Sequence, residues 1–377
     1  SAAVVSMPYL VNAIGIYLLF PAFIFFAIIT QFTLDCLYHL SRKYRITSYP
    51  ELCQYALGTP GYLIICFLMF IFNFGTFLGG MMIVGSNLPR LLEWMLGFDS
   101  HWLDRSWVLI YTSMLFLPIS FFKKISDYKI NSLLSVATLM ALGFMLFGRA
   151  VIDHDKYPAP EGAYDFKVDG NTIASLGGIS FLFVCHDLSF GVFLALESSN
   201  RRRWSMVVSV MLFLTNFFFL LTGLAGWFMF YDDVESNIMD NFGVHDTTAN
   251  IGRLLLTLNV LISVPYNMFM PRFSLYALLS RMIHIENKNL FHILTTFLVM
   301  GITLGIAELI TNLGQMFEIV GGVSAVGLAY IMPSVLYLKL EKGAWWAPAK
   351  LTHSVLVCLG TIIMLGSTFS TLYAALA

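Results

Sequence analysis

The sequence predicts an all-α polytopic membrane protein, on three observations. Apolar residues fill 58% of the 377 positions and charged residues only 11%, whereas soluble domains average about 45–50% and ~25%. Apolar runs of roughly 20 residues recur along the whole chain, separated by short polar connections. These runs are apolar on all sides and lack the alternation of a membrane barrel, so helices are expected to satisfy the backbone in lipid.

The predicted elements are one truncated span followed by full spans. The chain starts at Ser1 rather than Met and runs directly into apolar sequence, so we expect a cut inside a span, with further chain upstream. In order, the predicted spans are 1–13, 14–40, 61–90, 106–122, 129–152, 172–197, 204–231, 251–280, 290–308, 313–338 and 347–375. They form a single transmembrane domain with a first unit (1–152), a second unit (172–338) and an extra C-terminal helix (347–375).

The basic residues predict the orientation of these spans. When the connection after the second span is placed in the cytoplasm, roughly fifteen Lys and Arg fall on the inner side and about six on the outer side. The outer connections are acidic instead, with Asp153 to Asp169 in one and Asp232 to Asp246 in the other. The alternation holds from loop to loop, which favours this count of spans.

Composition and motifs exclude several classes of function. A soluble enzyme and a nucleic-acid binder do not fit the hydropathy or the net charge of −1. No HExxH, GxSxG or P-loop spacing indicates a membrane enzyme, and no charged ring or filter sequence indicates a channel. The five Cys residues show no CxxC spacing and are expected to be buried, unpaired side chains.

Two predicted spans contain interruptions. Ser180–Gly191 places His186 and Asp187 in mid-span, where ionisable groups are costly and usually functional. Ser1–Tyr9 places small residues before Pro8, which lacks a backbone donor. Freed backbone groups are tolerated at this depth only beside a cavity. Because each unit holds five spans, the two units insert in opposite senses, as in transporters built from inverted repeats.

These segments carry a resemblance to a known family. Ser1–Tyr9 fits, in register, a first-helix motif of the type Gly-Ser-Gly-Ile-Leu-x-Leu-Pro-Tyr, although Ser1 and Ala3 replace its glycines. The other matching segments are Phe183, Cys185, His186, Glu197 and Arg201–Arg203; Ser48–Leu52 with Gly58–Gly61; Val264, Pro265 and Arg272; and Ile331–Ser334 with Tyr337–Lys339. The chain thus resembles the amino acid/auxin permease family, in its branch of sodium-coupled neutral and vacuolar amino acid transporters.

The resemblance implies a LeuT-like 5+5 inverted repeat plus an eleventh helix, and secondary transport of neutral amino acids by alternating access. A zwitterion needs N–H donors for its carboxylate and C=O acceptors for its ammonium, and broken helices offer both. The predicted substrate-binding residues are Ser1, Ala2, Ala3 and Val4 in the first span and Phe183, Val184, Cys185 and His186 in the sixth. The alternative for the first segment is ordinary small-residue helix packing.

The coupling ion is predicted to be Na⁺ or H⁺. His186 and Asp187 are candidates for proton coupling, while the alternative is that His186 bonds to backbone and Asp187 caps the second half-helix. Ser263 stands where the resemblance places a sodium-ligating hydroxyl, and Ser1 is the second candidate for Na⁺. Alternatively, Ser263 bonds back to its own helix. Glu318 is a candidate gate or proton site.

The remaining expectations concern partners and location. No cofactor is expected beyond a Na⁺ ion, and the partners are a small neutral amino acid, Na⁺ or H⁺ and the lipid bilayer, with no nucleic acid and a monomeric chain. The plasma membrane and the vacuolar or lysosomal membrane both fit. A competing function is an amino-acid sensor that signals through a cytoplasmic tail upstream of Ser1.

Overall fold

The computed structural model describes residues 2–121, 128–166, 168–197 and 200–376. Those ranges contain thirteen α-helices and no β-strand. In chain order they are α1 (Met7–Ile14), α2 (Ile16–Tyr44), α3 (Tyr49–Leu96), α4 (Arg105–Ser120), α5 (Tyr128–Ile152), α6 (Gly170–Leu182), α7 (His186–Ala195), α8 (Arg201–Phe230), α9 (Thr247–Leu279), α10 (Lys288–Leu309), α11 (Leu313–Val320), α12 (Met332–Leu340) and α13 (Pro348–Leu376). Short 3₁₀ helices cover Ala2–Ser6, His101–Leu103, His154–Lys156, Tyr231–Asp233 and Ile238–Asn241.

Nine helical segments of the described chain are long and apolar enough to cross a membrane, so the protein is an integral, multi-pass membrane protein. The ten full spans predicted from the sequence differ from these nine at one helix. α4 has 16 residues and extends about 24 Å, less than the roughly 30 Å hydrocarbon core. At the N-terminal end, α1 is a short apolar helix, and Gly15 (φ 77°) separates it from α2.

The connection before the third predicted span is helical rather than a loop. α3 begins at Tyr49 after the extended Ser48, with a proline and Glu51 in its first turn, both of which suit a helix start. Its path bends at Gly58, whose φ of 71° only glycine adopts without cost. The membrane-crossing part of α3 therefore follows a short helix lying before the bend.

Burial separates central from peripheral helices. The segment Leu313–Leu340 has 72% of its most apolar stretch buried, against 22% for Pro348–Ala375. This central segment runs through α11, two π-helical turns (Gly321–Ala325 and Gly327–Ile331) and α12. α3 and α9 form the most extensive helix pair. Large apolar side chains of the peripheral helices remain exposed, as lipid contact requires.

In each ion pair of the described residues, both partners lie on the same predicted side of the membrane. On the inner side, Glu341 pairs with Lys43 and His39. On the outer side, Asp240 pairs with Arg90, and Arg149 pairs with both Asp153 and Asp246. Every such pair joins groups that the distribution of basic residues assigns to the same side, which supports the topology.

Candidate functional site

The sixth predicted span is broken where its sequence indicated. α6 ends at Leu182 and α7 begins at His186, and Cys185 has the non-helical angles φ −142° and ψ 13°. The turn is closed by short-range bonds, in which the Phe183 N–H donates to the Ser180 carbonyl (3.2 Å) and the Val184 N–H to the Phe181 carbonyl (3.5 Å). The carbonyls at the end of α6 carry the negative end of its dipole toward the break.

Aromatic packing holds the break against α2. The Phe183 ring is buried and lies 5.5 Å from the ring of Phe23 and 6.0 Å from that of Phe26, measured between centroids. Val184 and Cys185 are only half-buried. Of the four predicted binding residues of the sixth span, Phe183 and His186 are thus buried, and Val184 and Cys185 are half-buried.

His186 is fully buried (0% exposed) and bonds to α2. Its Nε2 lies 2.9 Å from the Thr33 hydroxyl, which is also 2.9 Å from the Ile29 carbonyl. A hydroxyl has one proton, so if Thr33 donates it to Ile29, Nε2 must donate to Thr33. That arrangement leaves Nδ1 as an acceptor, and this atom is buried with no partner among the described residues.

Asp187 occupies the first turn of α7, where the helix dipole favours a carboxylate. Its Oδ2 accepts a hydrogen bond from Asn73 on α3 (3.3 Å), and Asn73 also donates to the Met69 carbonyl of its own helix (2.8 Å). Asp187 is half-buried. The residue at the capping position is Cys185, which makes no side-chain cap, so Asp187 does not cap α7 as the alternative had it but places a carboxyl in the first turn beside the break.

The first segment is helical rather than open. Ser1 and the side chain of Ala2 lie outside what the structure describes, whereas Ala2–Ser6 form a 3₁₀ helix in which Ala3 and Val4 are buried. Pro8 sits in the first turn of α1, where its missing N–H costs no hydrogen bond. Ser6 precedes α1, and its buried hydroxyl has no partner among the described residues.

Ser263, the predicted sodium-ligating hydroxyl, is buried on α9 and donates to the Asn259 carbonyl one turn earlier (2.8 Å). The Asn259 amide in turn donates to the Ser135 hydroxyl on α5 (3.1 Å). Donation to the backbone uses the hydroxyl proton and leaves oxygen lone pairs for other partners. The sequence-based alternative, a bond back to its own helix, is thus present in the structure.

Three polar residues near His186 were not predicted from the sequence. Thr30 and Thr33 lie on α2, and Tyr330 lies on the second π-helical turn, where its hydroxyl is 3.4 Å from Thr30 Oγ1. The Tyr330 ring meets the His186 ring edge to face at 6.4 Å. A threonine in an apolar helix carries no distinctive signal, because such residues usually bond to their own backbone. Only the juxtaposition of helices distant in sequence shows this cluster.

The sequence of this chain is similar to those of known membrane transport proteins. The family model described as transmembrane amino acid transporter protein matches residues 1–376. The chain is 26% identical over 356 residues, covering 93% of it and 85% of the relative, to sodium-coupled neutral amino acid transporter 11 of Homo sapiens. It is 24% identical over 389 residues, covering 99% of it and 81% of the relative, to vacuolar amino acid transporter 2 of Saccharomyces cerevisiae.

Sodium-coupled neutral amino acid transporter 11 of Danio rerio shows 24% identity over 367 residues, with 97% of this chain and 81% of the relative covered. The matches thus span nearly the whole chain and most of each relative. The family match includes both the first segment and the break between α6 and α7. The chain belongs to the transmembrane amino acid transporter protein family and is a transporter rather than an enzyme.

Proposed function

We propose that this protein carries neutral amino acids across a membrane by alternating access, and that the substrate binds at the break between α6 and α7. The observation that carries the proposal is the interrupted helix at Phe183–Cys185, flanked by a buried histidine and a carboxylate. Main-chain groups freed at membrane depth need a polar partner, and an amino acid zwitterion supplies both signs of charge.

The charges around the break set the substrate's orientation in this proposal. Its ammonium group faces the carbonyl end of α6 and Asp187, both of which attract a cation. Its carboxylate faces the backbone of Ala2, Ala3 and Val4 at the start of the described chain. The side chain of the substrate then meets Phe183, Val184 and Cys185, which carry no charge. An uncharged wall supports a neutral rather than a charged amino acid.

The proposed mechanism uses a LeuT-like arrangement of two inverted five-helix units, 1–152 and 172–338, with α13 as the extra helix. Each unit starts with a short helix next to non-α backbone: Ala2–Ser6 before α1, and the break after α6. The hydroxyl of Thr172 on α6 donates to the Ala13 carbonyl of α1 (3.2 Å), which joins the starts of the two units. Rocking of one unit against the other would expose the site to each side in turn.

The coupling ion in this proposal is Na⁺ or H⁺. Ser263 on α9, together with the backbone around Ser1, would supply oxygen ligands of the kind that hard cations prefer. His186 and Asp187 would hold or pass a proton at the break. The relatives named as sodium-coupled support the first option for this chain. The relative named as vacuolar supports a vacuolar membrane, and we propose that the chain acts as a monomer.

Radiolabelled neutral amino acid uptake into liposomes containing the full chain tests this function. A Na⁺ gradient and a pH gradient are imposed separately, and we expect one of them to drive accumulation above the equilibrium level. A charged amino acid such as lysine serves as the substrate control and is expected to be excluded. Equilibration without accumulation under either gradient would contradict secondary active transport.

The same liposomes separate the two ions. If Na⁺ is coupled through Ser263, then Ser263→Ala raises the Na⁺ concentration that supports half-maximal uptake. Ser280→Ala is the matched control, because Ser280 is an exposed hydroxyl just past the inner end of α9. An unchanged Na⁺ dependence in Ser263→Ala would remove that residue from the sodium site.

A further inference from the structure

Glu318 is a buried carboxyl that the proposed binding site does not use. It lies on α11 and is 2% exposed. α11 packs against α6, α13, α3, α1, the 3₁₀ helix Ala2–Ser6 and the following π-helical turn. A carboxyl at such a place must be either paired with a cation or neutral, since burying an isolated charge in an apolar interior is prohibitive.

No cation among the described residues pairs with Glu318. None of the described ion pairs includes it. α6, the π-helical turn and Ala2–Ser6 carry no charged residue, and the charged residues of α3 lie toward its two ends. Lys350 and His353 of α13 lie about five turns or more from Thr371. The titratable group facing it is the hydroxyl of Tyr9 on α1, whose ring packs against Gly314 on the same helix as Glu318.

The hydrogen bonding of Thr371 suits a protonated carboxyl. The Thr371 hydroxyl on α13 lies 3.3 Å from Glu318 Oε2 and 2.9 Å from the Ser367 carbonyl of its own helix. A hydroxyl has a single proton. If Thr371 donates it to the nearer Ser367 carbonyl, the contact with Glu318 becomes a hydrogen bond when the carboxyl is protonated and donates.

Glu318 also contacts the half-helix that leads to the break. Gly177 and Gly178 on α6 face it so closely that a Cβ on Gly178 would lie 3.4 Å from Glu318 Cγ. The first π-helical turn begins three residues later, at Gly321. π-helical turns hold one extra residue per turn and occur often at functional sites. A charge on Glu318 would need water, and a separation of α6 from α11 and α13, which pack together around this carboxyl, would admit it.

We propose that Glu318 binds and releases a proton during the transport cycle, as a site separate from His186 and Asp187. In the arrangement described, the carboxyl is neutral and donates to Thr371. When α6 moves, water reaches the site, the O–H bond breaks, and the proton leaves to water while the carboxylate stays behind. The inference deepens the proposed function: it makes H⁺ a co-transported ion and rests on alternating access moving α6.

Proton movement with the amino acid tests the proposal directly. Full-length protein in liposomes with an internal pH-sensitive dye is given an amino acid gradient, and the protons moved per amino acid are counted. Glu318→Gln, which imitates the neutral carboxyl, is expected to lose one proton per amino acid and the corresponding pH dependence, while amino acid exchange between the two sides continues. Glu308→Gln is the matched control, since Glu308 is an exposed carboxyl at the outer end of α10.

Two results would overturn the inference: no proton moving with the wild type, or the same proton count in Glu318→Gln and the wild type. If Glu318→Gln fails to exchange amino acids, Thr371→Val provides a second test. This variant keeps the carboxyl but removes its hydrogen-bond partner, so it should shift the pH dependence of uptake. Thr361→Val is its control, because Thr361 bonds only to its own helix in the described contacts.

A measurement that does not need transport separates this inference from the proposed function. The infrared spectrum of the purified full-length protein at neutral pH should contain the carbonyl stretch of a protonated, buried carboxylic acid. The band should be absent in Glu318→Gln and present in Glu308→Gln. Its absence in the wild type would overturn the proton on Glu318 even if amino acid uptake is observed, and its presence would support that proton even if uptake fails.

Discussion

The contact between His186 and Thr33 joins the break to α2 at the level of single atoms. The ring is fully buried and the described partner of its Nε2 is the Thr33 hydroxyl. Removal of one partner leaves the other polar atom buried and unsatisfied, which costs about 1–3 kcal/mol. His186 is thus positioned by a residue 153 positions away in the chain.

Thr33→Val is expected to weaken amino acid binding by about 5- to 150-fold, because the unpaired histidine ring no longer holds the first residue of α7 in place. The KM for uptake measures the effect, and Thr33→Ser, which retains the hydroxyl, should stay close to the wild type. Thr76→Val is the control, since Thr76 bonds to the Phe72 carbonyl of its own helix. A KM equal to that of the wild type in Thr33→Val would contradict a positioning role.

Some residues of this site were predicted from the sequence. His186 and Asp187 stood out because ionisable groups are rare in apolar runs, and the structure places both at the break. Thr33 and Tyr330 carried no such signal, because their importance depends on which helix faces them. Ser6 was visible only as a small residue before Pro8, yet its hydroxyl is buried without a partner among the described residues.

At the scale of elements, the outer connection between α8 and α9 is fastened by Arg253. This side chain is 0% exposed and donates to the carbonyls of Met239, Phe242 and Gly243 and to the Asn250 side chain, at 2.6–3.2 Å. Ion pairs from Asp240 to Arg90 and from Asp246 to Arg149 also hold this connection. The 3₁₀ helix Ile238–Asn241 in this connection packs against Ala2–Ser6.

Arg253→Met is expected to lower the free energy of unfolding by about 2–4 kcal/mol, because two buried carbonyls, the carbonyl of Gly243 and the Asn250 amide lose their donor. Thermal unfolding of the detergent-solubilised protein measures the loss, and limited proteolysis should cut between residues 231 and 246 faster than in the wild type. Arg42→Met, at an exposed position near the inner end of α2, is the control. Equal melting temperatures in Arg253→Met and the wild type would show that the connection is held by other contacts.

At the scale of the whole molecule, the inner ends of α2 and α12 are joined by Glu341. Burial alone would raise the pKa of Glu341, but hydrogen bonds from Lys43 (2.6 and 2.8 Å) and His39 (3.1 Å) outweigh it and hold the pKa below its usual range. A lowered carboxyl pKa adds stability above the unfolded-state pKa, and that stability is lost as the pH falls through the folded value.

Glu341→Gln should therefore lower the melting temperature at neutral pH by an amount that shrinks as the pH drops below about 4, the usual range of a glutamate. The effect is small, no more than about 1 kcal/mol, because Lys43 is an exposed residue and water screens the pair. Glu286→Gln, at an exposed carboxyl in an inner connection, should behave as the wild type at every pH. A difference that stays constant with pH would contradict the ionic origin of the contact.

The sequence alone predicted the nine long apolar helical segments of the described chain and the break between α6 and α7, because these features follow from local hydropathy and from a histidine–aspartate pair within an apolar run. The placement of basic residues predicts which side each connection faces. The sequence did not anticipate the helical start of α3, the short α4 or the two π-helical turns. Only the tertiary structure decided that Thr33 faces His186 and that Thr371 faces Glu318, since these contacts join residues 153 and 53 positions apart. Side-chain pairing across helices depends on how whole helices pack, and no local pattern in the chain encodes that packing.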